Sequence, residues 1–138
     1  MQIVIVEKQD MLTDKFYSWL IEEIQAEFIS KINPKKLKAW DEYLTQNFRS
    51  VYKKKVFAKD TLLAGIYNLQ ITKSSAKLTI EINDNVFVPY LDRVKVKTVC
   101  KLINFGNAEM QAYPIFSTVF QNVTDNFNSY IDKYVSLV

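Results

Sequence analysis

Val94-Lys-Val-Lys-Thr-Val-Cys-Lys-Leu-Ile-Asn-Phe-Gly106-Asn-Ala-Glu-Met-Gln-Ala-Tyr113-Pro114 is the stretch on which the fold turns. Val96, Val99, Cys100 and Ile103 recur at the spacing of one helical face, although the β-branched run also suits a strand. Gly106, one of 2 glycines in 138 residues, stands where a residue in the left-handed conformation ends a helix. Pro114 then opens the next helix, because a first turn has no use for the backbone donor that proline lacks. The stretch predicts a short helix, a glycine stop, an extended connector, a proline start and a final helix.

Beyond Pro114, the residues Phe116, Val119, Phe120, Val123, Phe127, Tyr130, Ile131 and Tyr134 predict one amphipathic helix of about five or six turns. Upstream, Ile66–Ile71 and Lys77–Ile82 alternate apolar and polar residues around Lys73-Ser-Ser-Ala76. That is a hairpin with one buried face. Asn83-Asp84-Asn85 is a second turn signal. Pro89 makes Val86–Leu91 extended or irregular, since it cannot donate to a ladder.

The first third reads as helical. Asp10 or Thr13 can cap a helix whose inner face is Leu12, Phe16, Trp19, Leu20, Ile24, Phe28 and Ile32. Asn33-Pro34 ends it and starts a second helix, predicted to run to about Lys54 with Leu37, Trp40, Leu44, Phe48, Val51 and Tyr52 inward. The two make a helical hairpin or elbow. Ile3, Val4, Ile5 and Val6 form a short strand or an arm that pairs with another subunit. The fold class is therefore α+β: an N-terminal helical hairpin, a small mostly antiparallel sheet, a short helix, and a long C-terminal amphipathic helix packed on the sheet. The chain reads as a single domain over 1–138. Residues 1–8 are its strand or assembly arm and 10–55 its helical part.

Composition narrows the chemistry. Histidine is absent and Cys100 is the sole cysteine, which removes the commonest general base and any thiolate metal cluster within one chain. Neither glycine sits in a phosphate-binding fingerprint. Glu22, Glu23 and Glu27 read as a solvated helix face, and Cys100 as a small core residue. The expectation is no catalytic residue, no cofactor and no metal. No run approaches the ~18 uninterrupted apolar residues of a spanning helix, so no membrane partner is expected. The net charge of +3 is far from the footprint of a dedicated nucleic-acid binder. Lys53, Lys54 and Lys55 form the one charge run of note. With Phe48, Tyr52 and Phe57 interleaved, it would suit single-strand binding, but those aromatics follow the helical period and are wanted in the core, and the dipole of a helix end explains part of the charge.

The order of a helical pair, Asp60-Thr61-Leu62-Leu63, two strands, Leu102-Ile-Asn-Phe-Gly-Asn107, Tyr113-Pro-Ile-Phe116 and a terminal helix resembles the tail-completion proteins of long-tailed bacteriophages. These are related in fold to tail-terminator proteins. The likeness covers residues 57–135. Asp60-Thr61 stands at the family's turn before the first hairpin, Phe105-Gly106 at its aromatic–glycine pair, and Ala112-Tyr113-Pro114-Ile115-Phe116 at its lead-in to the last helix. Leu62 replaces a family glycine, and Asn104 stands where an acidic residue is common.

The resemblance implies a structural subunit without enzymatic activity. Copies would form a hexameric ring at the phage neck that completes the tail and meets connector, adaptor and tail-tube proteins. DNA would pass non-specifically through the lumen. The place implied is the virion, after synthesis in the host cytoplasm. On that reading Ile3, Val4, Ile5, Val6, Ile66, Leu69 and Ile71 carry contacts between copies, and Lys53, Lys54 and Lys55 face the DNA. The alternatives are a small nucleic-acid-binding or regulatory protein, or a phage-encoded inhibitor of a host protein.

Overall fold

The computed structural model describes residues 1–6, 13–48, 50, 54–74 and 77–138. Among these the order is β1 (Ile3–Val6), α1 (Asp14–Lys31), α2 (Pro34–Asn47), α3 (Ala58–Ile66), β2 (Leu69–Ser74), β3 (Lys77–Ile82), α4 (Val96–Phe105), α5 (Ile115–Asp125) and α6 (Phe127–Leu137). The fold is α+β. The expected cap at Asp10, Leu12, Arg49, Val51, Tyr52, Lys53 and the Ser75-Ala76 turn lie outside the described residues.

The sheet is antiparallel with the order β1-β3-β2. Ile3 faces Ile80 across β1–β3, and Ile71 faces Ile80 across β2–β3. Side chains alternate faces along a strand, so Leu78, Ile80 and Ile82 share one face, and all three are buried. Ile3 joins them. The N-terminal segment is thus a strand of its own chain's sheet.

Helices cover that face. Phe16, Leu20, Ile24 and Phe28 form the buried stripe of α1 at four-residue steps. The Phe28 ring sits 4.8 Å from Phe116 and 5.4 Å from Phe120 on α5, distances at which tilted and edge-on rings attract. α5 in turn packs on β1, and α2 packs on α3.

Three boundaries differ from the expectations, each for a tertiary reason. The helix predicted to reach Lys54 ends at Asn47. The chain then folds back along α2, where Thr45 Oγ1 accepts from Val56 N (3.0 Å) and Asp41 Oδ1 from Ala58 N (2.6 Å). Asp41 and Thr45 lie one turn apart and so present both acceptors on one side. The returning chain enters α3, which the sequence reading missed. Asp60-Thr61-Leu62-Leu63, expected as a turn, lies inside α3 with Thr61 and Leu62 buried. The first strand of the hairpin consequently starts at Leu69 rather than Ile66. Finally, the terminal helix breaks at Asn126 (φ −114°, ψ 21°). Phe127 and Tyr134 on α6 then reach Phe16 on α1, at 6.1 and 5.3 Å.

Residues 96–114 form a helix, a glycine stop and a connector as expected, but Pro114 is the N-cap of α5 and Ile115 its first helical residue. α4 is a helix burying Val96, Val99, Cys100 and Ile103, and Gly106 N–H donates to Leu102 O at its end. Gly106 itself has φ +66° and ψ −170°, beyond the left-handed helical well and in a region essentially reserved for glycine.

Candidate functional site

Val56 is buried, but Lys54, Lys55 and Phe57 on either side of it are exposed. The alternation follows from the extended backbone of the chain returning along α2, where successive side chains point opposite ways. Phe57 occupies the position that caps α3, where Ser, Thr, Asp or Asn would be usual. Asp41 takes over the capping by accepting from Ala58 N, which leaves the Phe57 ring outside.

Opposite lies the loop after β3. Val88 N donates to Val94 O and Val96 N to Val86 O, so the chain doubles back on itself before α4. Within that loop Tyr90 sits at φ +66° and Arg93 at φ +57°. Positive φ is uncommon outside glycine and strained for a bulky residue. Along this backbone Val88 and Leu91 are buried, and Tyr90 between them faces outward with 54% of its surface exposed.

Between these segments runs a groove of about 530 Å³. Lys54, Lys55, Phe57, Asp60, Pro89 and Tyr90 are on its walls. The Lys54 ammonium stands 5.9 Å from the centre of the Tyr90 ring, and the Lys55 ammonium 5.5 Å from that of Phe57. Both lie within the range of a cation–π attraction. Phe57 keeps 47% of its surface exposed, and Phe87, in the same loop as Tyr90, keeps 52%. Asp60 is the acid on the wall. The arrangement joins aromatic faces to cations, a combination that holds flat, negatively charged ligands. Of the lysine run, Lys54 and Lys55 fall in this groove and Lys53 lies outside the described residues. Sequence reasoning singled out Lys54 and Lys55 but assigned Phe57 to the core, whereas the ring is 47% exposed; it missed Tyr90, since only the loop's backbone conformation turns it outward.

A second cleft of about 540 Å³ opens between α2 and the connector after α4, lined by Lys36, Trp40, Glu109 and Tyr113 among others. Its polar groups mostly hold the connector in place. The Tyr113 hydroxyl donates to Lys31 O (2.9 Å) and accepts from Asn33 N (3.2 Å). Asn107 Oδ1 accepts from Glu109 N and Met110 N, and its Nδ2 donates to the Tyr43 hydroxyl. These bonds explain Tyr113-Pro114 as a joint between the two ends of the fold.

Asn104 is fully buried. Its Oδ1 accepts from Ser117 N (3.0 Å) and its Nδ2 donates to Ser117 Oγ (2.7 Å). It thereby caps the first turn of α5 from another helix, because Pro114 has no side-chain acceptor to offer. Cys100 is equally buried, its thiol donating towards Thr61 O at 3.6 Å. Burial pushes that thiol well above its ordinary range and keeps it protonated and unreactive.

Of the residues expected between copies, Ile3 and Ile66 are wholly buried in their own chain. Val4, Ile5, Leu69 and Ile71 are half-buried, and Val6 pairs with Lys77. Among the described residues no group of three or more His, Cys, Asp or Glu is placed to hold a metal ion. No helix among them is long and apolar enough to cross a membrane. No family model, curated protein or solved structure matches the chain.

Proposed function

We propose that this chain is a non-enzymatic structural subunit of a phage head–tail junction, a ring that completes the tail and joins it to the head connector in the virion. The observation that carries the reading is the sheet order β1-β3-β2, in which, among the described residues, both outer strands are paired with a neighbouring strand on one side only. A strand edge offers backbone donors and acceptors that a strand from another chain can complete. Joining β1 of one copy to β2 of the next is a head-to-tail contact, and such contacts close into rings when the rotation permits. The half-buried Val4, Ile5, Leu69 and Ile71 lie on those two strands and supply apolar surface beside the edges. DNA crossing the lumen would meet Lys53, Lys54 and Lys55 through phosphate contacts that ignore sequence and weaken with salt.

Native mass spectrometry of the purified chain over a range of concentrations tests the reading. A closed ring of fixed copy number is the expected result. A monomer or dimer at every concentration refutes it.

A further inference from the structure

We propose that the groove between residues 54–57 and the loop carrying Tyr90 is a binding site for single-stranded nucleic acid. A base stacks on Phe57 and Tyr90 there while Lys54 and Lys55 hold the adjoining phosphates. This goes beyond the ring reading and does not depend on it, since the site is complete within one chain.

Neither ring is needed where it is. Phe57 fills a helix-capping position without capping, its task passed to Asp41. Tyr90 adopts a positive φ at a cost that burial does not repay, because the ring ends up half in solvent. Strain of this kind collects at ligand sites, where the surrounding structure holds it. Each ring is paired with an ammonium group at 5.5 to 5.9 Å. Ring and charge are therefore presented together, as a base and its phosphate are. Sequence-independent single-strand sites combine these same two elements, a cationic track and aromatic platforms.

The other occupants fit less well. A duplex keeps its base faces stacked inside and would leave both rings unused. An acidic peptide would engage the lysines but has no counterpart for two half-exposed ring faces. The volume, about 530 Å³, falls within the range of about 300–1,000 Å³ typical of small-ligand sites and admits one nucleotide at a time. Asp60 on the wall repels phosphate from the α3 side and so directs the strand's backbone towards Lys54 and Lys55.

Fluorescence anisotropy with a labelled oligothymidylate of roughly twelve nucleotides, within the usual site sizes, provides the test. Three further probes are an abasic strand of the same length, the matching duplex and polyglutamate, and a salt series accompanies them. The oligothymidylate should bind at low salt and weaken as salt rises. The abasic strand should bind about fivefold or more weakly, the loss expected from removing one stacked base. Tyr90→Gly should lower affinity by a similar factor while melting at the same temperature or higher, because glycine accepts φ +66° without strain. Phe57→Ala, at an exposed position, gives an independent second variant.

Equal affinity for the abasic strand would reduce the site to a charge effect and overturn the proposal. So would duplex or polyglutamate binding as tight as the single strand, or both ring variants retaining full affinity. A chain that is monomeric by mass and still shows the expected binding would refute the ring and leave this site standing. The converse result would do the opposite.

Discussion

Replacing Gly106 with alanine should be among the most damaging single-methyl changes this fold can suffer. A Cβ built there would lie 2.6 Å from Met110 O, 2.7 Å from Ala112 N and 3.0 Å from Ala112 Cα. All three atoms are backbone, in a connector fastened by Asn107 N–H to Met110 O and by Tyr113 N–H to Ile103 O. No rotamer change can relieve the overlap. The conformation alone, φ +66° and ψ −170°, costs a residue with a Cβ about 1–3 kcal/mol. Overpacking against a fixed neighbour adds about 1–3 kcal/mol more, and a total of about 2–6 kcal/mol is expected. A chain of 138 residues has about 7–20 kcal/mol in all. The loss corresponds to a fall of about 7–21 °C in Tm for a domain of this size.

Thermal melting followed by circular dichroism, with urea titration of Trp19 and Trp40 fluorescence alongside, measures the change. A Tm drop below about 3 °C, which is less than ~1 kcal/mol, would refute the argument. Gly65 supplies the contrast. There a Cβ meets Cys100 Sγ at 2.9 Å and Ile82 Cδ1 at 3.0 Å, which are side-chain atoms on ordinary helical backbone. Gly65→Ala should be destabilising alone and substantially rescued by Cys100→Ala. The two changes would be non-additive because one fills the space that the other empties. For Gly106 no side-chain truncation should rescue.

Asn104→Leu should cost about 1–3 kcal/mol, because Ser117 N–H, part-buried at the start of α5, is left without its acceptor; an unchanged urea midpoint would show that the cap contributes nothing. The Cys100 thiol makes stability depend on alkaline pH. Its folded pKa is raised by burial above its ordinary value of 9.0, so the unfolded chain releases its proton first. The contribution is complete below that value and is lost as pH rises, by about 1 kcal/mol between pH 9 and 10. Urea unfolding across that interval should show the loss, and Cys100→Ala should flatten it. A slope that persists in the variant assigns the effect to another group. Deleting residues 1–6 should lower Tm sharply or prevent folding, since Ile3 is fully buried and pairs with Ile80. A truncated chain that melts within a few degrees of the full one would mean that β1 is dispensable to the sheet.

By itself the sequence determined the elements whose signals are local. The stripe of Phe16, Leu20, Ile24 and Phe28, the alternation of Lys77–Ile82, and the Gly106 and Pro114 boundaries were legible because helical period, strand period and backbone freedom act within a few residues. They sufficed for the α+β class and for placing Cys100 in the core. Only tertiary structure decided where a periodic run stops. α2 ends at Asn47 because Asp41 and Thr45 capture the returning chain, and α3 exists because that chain has α2 to lie on. The break at Asn126 lets Phe127 and Tyr134 reach Phe16. Membership of the groove was decided the same way. Lys54, Lys55 and Phe57 were visible as a basic run with an aromatic beside it, but nothing near Tyr90 in sequence brings it to them. Its partner segment lies more than 30 residues away, and the fold joins them by doubling back twice, once along α2 and once ahead of α4.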